Sequence, residues 1–147
     1  MTDPGHSIEF TGFASRFAAF LPGDEGAELL STCRDVFLWA ASRGFHPRRD
    51  LVYKNVDRDT GQPIPDAAIG DARDVVAPEV YREHFANRSA PARIATFPWW
   101  APWELVAAGS ILRRGDTRDA VDGMVLRALR GIFDYYPSAV SYTHLTL

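Results

Sequence analysis

The chain has a single cysteine, Cys33, so no internal disulfide can brace it and a reducing compartment is expected. No run approaches the ~18 uninterrupted apolar residues of a membrane span. The opening MTDPGHSIEF lacks the basic and apolar regions of a signal peptide, so a cytoplasmic location is expected. A basic surplus is also missing. Sixteen Lys and Arg stand against nineteen Asp and Glu, for a net charge of −3, which excludes a nucleic-acid binder relying on a basic surface. There is no phosphate-binding glycine loop and no dinucleotide fingerprint, so no cofactor is expected. What is present is enough for a packed core: 147 residues, 46% hydrophobic and 24% charged, make one ordinary domain or a piece of a larger one.

Apolar periodicity predicts a helix over 7–20, with Ile8, Phe13, Phe17 and Phe20 as its stripe and Leu-Pro-Gly-Asp as its stop. A second helix is predicted over 24–42, with Ala27, Leu30, Cys33, Phe37 and Ala40 facing inward and Gly44 as the cap. Residues 51–56 have β-type composition and predict a strand, followed by a turn over 57–61 and a short return strand from Gln62. The stretch 65–93 reads as an extended surface loop holding a short helix around 78–87. A helix is predicted over 99–113, with Pro102 in its first turn. Asp116 or Thr117 then caps a last helix whose buried face is Val121, Met124, Val125, Ala128, Leu129, Ile132, Phe133 and Tyr136. The pattern is all-α: helical hairpins of a helical array or an α/α barrel, interrupted by a short β-hairpin.

Two segments carry candidate chemistry. His6 and Glu9, three apart in PGHSIE, share the first turn of a helix. A carboxylate beside an imidazole orients the ring and favours proton acceptance, which suits a general base. The plain alternative is a helix-start histidine beside a solvated glutamate. In FPWWAPWE, three tryptophans fall within five residues, and Glu104 lies one helical turn after Trp100. Flat aromatic faces suit the apolar faces of sugar rings. The alternative here is a tryptophan-rich helix seam with Glu104 exposed. His46 and His84 read as solvated, Arg48 and Arg49 as a surface pair, and Cys33 as core. Asp57, Asp59 and Gly61 are an incomplete calcium loop, and no cluster has metal-ligand spacing, so no metal is expected.

The order of these segments resembles the N-acylglucosamine 2-epimerase family, which includes cellobiose 2-epimerases and aldose–ketose isomerases. PGHSIE at 4–9 is similar to its PGH-x-x-E motif, and LLSTCRDVFLWAASRGF at 29–45 to a helix ending in a Gly-aromatic pair. LVYKNVDRDTGQP at 51–63 is similar to its short hairpin, and WWAPWELVAAGSILRRGD at 99–116 to its Trp-Trp-x-x-x-Glu helix. The resemblance implies part of an (α/α)6 barrel with a short β-hairpin insertion. It implies His6 as one of two catalytic histidines, with Glu9 supporting it or contacting sugar. Trp100 then stacks on the substrate beside Trp99, and Glu104 is an active-site carboxylate. The reaction implied is proton movement at C2 of an open-chain aldose by histidine acid/base catalysis. The partner is a small sugar, with no nucleic acid and no membrane, and a homodimer is one possibility for a full-length protein.

Three departures accompany the resemblance: the second histidine and an early arginine are absent, Gly12 replaces an aromatic, and 65–93 is long. A partial barrel domain over 1–139, inactive alone, is therefore expected. The end, VSYTHLTL at 140–147, resembles one reading frame of a transposon-type sequencing adapter and is expected to be a non-native tail; a natural polar strand is the alternative. Two other functions compete: a glycoside hydrolase or polysaccharide lyase on the same barrel using Glu9 and Glu104, and a non-catalytic helical interaction module with a tryptophan-rich groove.

Overall fold

The computed structural model describes residues 1–64, 75–76 and 96–136. The predicted helix over 78–87, most of the loop over 65–93, His84 and the tail over 140–147 lie outside the described residues. Among those described, the chain is mainly helical: α1 (Pro4–Phe17), α2 (Glu25–Gly44), α3 (Ala101–Leu112) and α4 (Arg118–Tyr135). The bounds differ from expectation by a few residues. α1 begins at Pro4, where the ring fixes φ and lacks only an amide that a helix start leaves unpaired anyway. It tightens into a 3-10 turn over Ala18–Phe20. Pro102 sits in the first turn of α3, as predicted. α4 follows a 3-10 turn, Gly115–Thr117, with Thr117 at the cap position but making no side-chain capping bond.

α1 and α2 form one antiparallel hairpin: a Cβ on Gly44, at the end of α2, would stand 2.7 Å from Pro4, at the start of α1. α3 and α4 form another, with the Arg113 guanidinium donating to Asp122 across the turn at 2.8 and 2.9 Å. The two leading helices pack side by side and parallel. Gly5 faces Trp100 and Ala101, and one helical stretch later Gly12 faces Ala108, with room for no more than a hydrogen at Gly5. The core between the helices is built from Ile8, Cys33, Phe37, Ala40, Leu105, Leu112, Val121 and Ala128.

Several expected faces are corrected. In α1 only Ile8 of the predicted stripe is buried. Phe13, Phe17 and Phe20 are 59%, 57% and 82% exposed, joined by Phe10 at 68%. The inward face is instead Pro4, Gly5, Ile8, Thr11, Gly12 and Ser15. Small residues win that face because two neighbouring helices approach closely, and the buried hydroxyls bond to their own helix (Thr11 to the Ile8 carbonyl, Ser15 to the Thr11 carbonyl, both 2.6 Å). Ala27 is exposed, lying in the first turn of α2, and Phe133 of α4 is exposed too.

The predicted strand over 51–56 is replaced by isolated bridges, Phe45 with Val52 and Thr2 with Val56; a third joins Val56 to Pro63. Its neighbours are a helix end and the amino terminus, each offering one pairing position, so no ladder extends. Val75–Val76, within the expected loop, instead pair antiparallel with Thr96–Phe97. A second small core, Leu51, Tyr53, Val56, Phe97 and Tyr136, lies beneath these bridges. Tyr136 is buried, and its hydroxyl donates to the Phe97 carbonyl at 3.1 Å.

Asp50 ties the turn region to α4. Its two carboxylate oxygens each accept a 2.8 Å bond, from Arg127 Nε and Arg130 Nε. Arg127 also donates to the carbonyls of His46 and Arg49 and lies over the Phe45 ring. Burial pushes the Asp50 carboxyl up, but the hydrogen bonds and charges of Arg127 and Arg130 outweigh it, leaving the group below its ordinary value. A folded-state value depressed in this way gives stability that is present above the unfolded value near ~3.9 and is lost as pH falls through the lower folded one. Thermal unfolding followed by circular dichroism should therefore show Tm falling on the acid side of about pH 4. Asp50→Asn should lower Tm at pH 7 and flatten that acid limb. An unchanged acid limb in Asp50→Asn would show that the pair contributes nothing.

Candidate functional site

The start of α1 is organised by Asp3. Its extended backbone places the side chain at the N-cap, where Oδ1 accepts from the His6 amide at 3.1 Å. The other oxygen, Oδ2, lies 2.7 Å from His6 Nδ1. A carboxylate at neutral pH can only accept, so Nδ1 carries the hydrogen and donates it. When the ring is neutral, that leaves the lone pair on Nε2. The Asp3 carbonyl accepts from both the amide and the hydroxyl of Ser7. Upstream, Thr2 exchanges two backbone bonds with Val56, at 2.8 and 2.9 Å, so the residues before the helix are pinned as well.

The carboxylate on His6 is thus Asp3. Glu9, expected to support the imidazole, makes no hydrogen bond or ion pair among the described residues. One turn after His6 it is half-buried, beside the open phenylalanine face. The Asp3 role was within reach of sequence reading: an aspartate before Pro-Gly at a helix start is an N-cap, and the residue three later is the one whose amide it captures.

His6 meets Trp100 with ring centroids 4.8 Å apart and planes tilted by 50°. That contact follows from the parallel packing of α1 and α3, because Gly5 lets the indole close against the helix start. Trp100 caps α3, and its carbonyl accepts from the amides of Trp103 and Glu104. Glu104 therefore projects from the turn that follows the indole, half-buried, and makes no side-chain bond among the described residues. The tryptophans diverge: Trp100 packs on the main helical core, Trp99 on the second small core, and Trp103 is 39% exposed. Trp99 is therefore not beside His6 in the way Trp100 is.

The remaining candidates resolve differently. His46, expected in solvent, is half-buried. Its ring lies 5.6 Å from Tyr53 and 6.0 Å from Phe97, and its Nδ1 accepts from the Arg48 amide. Asp57 spends its carboxylate on its own turn, accepting from the amides of Asp59 and Thr60 and from the Thr60 hydroxyl. Hydrogen bonds to Thr60 hold that carboxyl below its usual value. Cys33 is buried in the main core, as predicted. No group of three potential metal ligands occurs among the described residues, and no described helix is long and apolar enough to cross a membrane.

Among the described residues, two of the cavities flank the fold. One of about 280 Å³ lies between α3 and α4, lined by Val106, Ser110, Arg113, Asp122, Val125 and Leu126. The other, about 330 Å³, lies beside the end of α2, against Arg43, Phe45, Tyr53 and Gln62. Neither is lined by His6, Glu9, Trp100 or Glu104. Set against known proteins, the chain matches no family model, no curated protein and no solved structure.

Proposed function

We propose that this chain supplies one wall of a sugar-binding cleft, in which His6 moves the proton at C2 of an open-chain aldose, as in a sugar epimerase or isomerase. One observation carries the reading: Asp3, His6 and Trp100 form a carboxylate–imidazole–indole cluster at the start of a helix. The carboxylate fixes the tautomer, leaving Nε2 as the base that takes the C2 proton and leaves an enediolate. The indole offers an apolar face to a sugar, and Glu104, one turn on, is positioned for a hydroxyl. The fold is compatible with a barrel: two antiparallel hairpins whose leading helices pack in parallel make the repeating unit of an α/α toroid. Inversion at C2 needs a second acid on the opposite face, which lies outside this cluster.

Epimerisation, which needs both acids, is not expected of the chain alone, but a single base suffices for a partial reaction, exchange of the C2 proton with solvent. An aldose in D₂O should lose its C2–H signal in proton NMR in the presence of the chain. His6→Ala should slow that loss by at least about 100-fold, the usual worth of a positioned base. Trp100→Ala should weaken sugar binding, read as the concentration needed for half-maximal rate. Exchange no faster than with free imidazole, or equally fast in His6→Ala, would remove the basis of the proposal.

A further inference from the structure

The cavity beside the end of α2 plays no part in the sugar reading, and its lining is chemically mixed. Phe45, Pro47, Tyr53 and Pro63 give it an apolar wall, and Arg43 and Gln62 give it polar groups. At about 330 Å³ it stands at the small end of ligand pockets. Backbone bonds hold the walls in place. The Tyr53 amide donates to the Gly44 carbonyl and the Asp57 amide to the Gln62 carbonyl, both at 2.8 Å. A cavity held in this way is formed before a ligand arrives, which reduces the ordering that binding must impose.

Arg43 is half-buried here and makes no hydrogen bond or ion pair among the described residues. Its guanidinium lies over the Trp39 ring, 4.9 Å from the centroid, and Gly61 packs on its aliphatic stem. Gly61 has a φ of 70°, and a Cβ there would stand 3.3 Å from Arg43 Cγ, so glycine serves both the turn and the contact. Stacking uses a face of the guanidinium and leaves the N–H donors in its plane for a flat acceptor with two oxygens. The acids of the neighbouring turn do not line the cavity: Asp57 is committed to bonds within the turn, and Asp59 is exposed. The carbonyl end of α2 carries partial negative charge, so a single carboxylate matches Arg43 better than a phosphate dianion does. We propose that this cavity binds a small aromatic carboxylate, with its two oxygens on Arg43 and its ring against Phe45, Tyr53 and Pro63. The proposal is independent of the sugar reading.

Titration of the isotope-labelled 147-residue chain with benzoate, followed by amide NMR shifts, tests it. A Kd of about 0.1–1 mM is expected for a ligand this small. The amides of Arg43, Gly61 and Gln62 should shift most, a result that depends on no variant's folding. Benzamide keeps the ring and loses the charge, and acetate keeps the charge and loses the ring. Each should bind at least about tenfold more weakly than benzoate. Arg43→Gln should weaken benzoate binding at least about tenfold while retaining the helical circular dichroism spectrum. Arg43→Lys should recover only part of that loss, because an ammonium lacks the planar fork. Inorganic phosphate at equal concentration should leave benzoate in place. No benzoate binding up to about 10 mM, equal affinity for benzamide or acetate, undiminished binding in Arg43→Gln, shifts centred elsewhere, or displacement by phosphate would each overturn the proposal. The last would make the cavity a general anion site.

Discussion

Phe37→Ala is expected to lower the free energy of unfolding by about 3–5 kcal/mol, a large part of what a domain of this size has. Phe37 is fully buried on α2 and belongs to the core shared by the helices. Its ring tip reaches α3, where a Cβ on Gly109 would stand 3.3 Å from it. Deleting the ring removes its transfer energy and leaves a cavity, and the walls are helices already held at close approach, so little collapse can fill it. Chemical denaturation should show a lower midpoint with an unchanged slope. The adjacent Val36, exposed on the same helix, is the control: Val36→Ala should cost less than about 0.5 kcal/mol. Equal effects at the two positions would mean that α2 does not pack by this face.

Gly131→Ala is expected to cost about 3 kcal/mol, through too much volume in place of too little. Gly131 of α4 lies directly against the Asp50 carbonyl, and a Cβ there would overlap it. The obstacle is backbone, so no side-chain rotation relieves it. Either α4 or the segment around Asp50 must shift, and the same shift would separate Asp50 from Arg127 and Arg130. The variant should therefore lose stability at pH 7 and also lose the acid limb that Asp50 confers. A variant as stable as the parent would show that α4 can slide without penalty.

Helices were legible because apolar spacing, Pro-Gly stops and the Pro102 position report local geometry. The face that each helix buries was less so. Phe13 and Phe17 have the spacing of a core stripe, yet the core lies on the opposite side, where glycine, threonine and serine admit two other helices. Hydropathy ranks side chains by transfer energy and is blind to how near two backbones must come. The segment over 51–56 has strand composition but finds only single-residue partners. At the candidate site, the placing of His6 and Trp100 on helix starts was readable, but their contact depends on α1 and α3 being parallel neighbours, a relation across more than ninety residues. Asp50 with Arg127 and Arg130 is likewise a long-range pairing that no local spacing encodes.

Asp3 serves two purposes with one side chain, opening α1 through one oxygen and holding the His6 ring through the other. The two cannot drift apart over generations. Asparagine preserves the helix start but forfeits the negative charge beside the ring, and glutamate keeps the charge but is a poorer opener, so selection on either property is felt by both. On the proposed reading, an acid or amide would still be favoured here for the helix alone, which makes this position a poor witness to the imidazole chemistry.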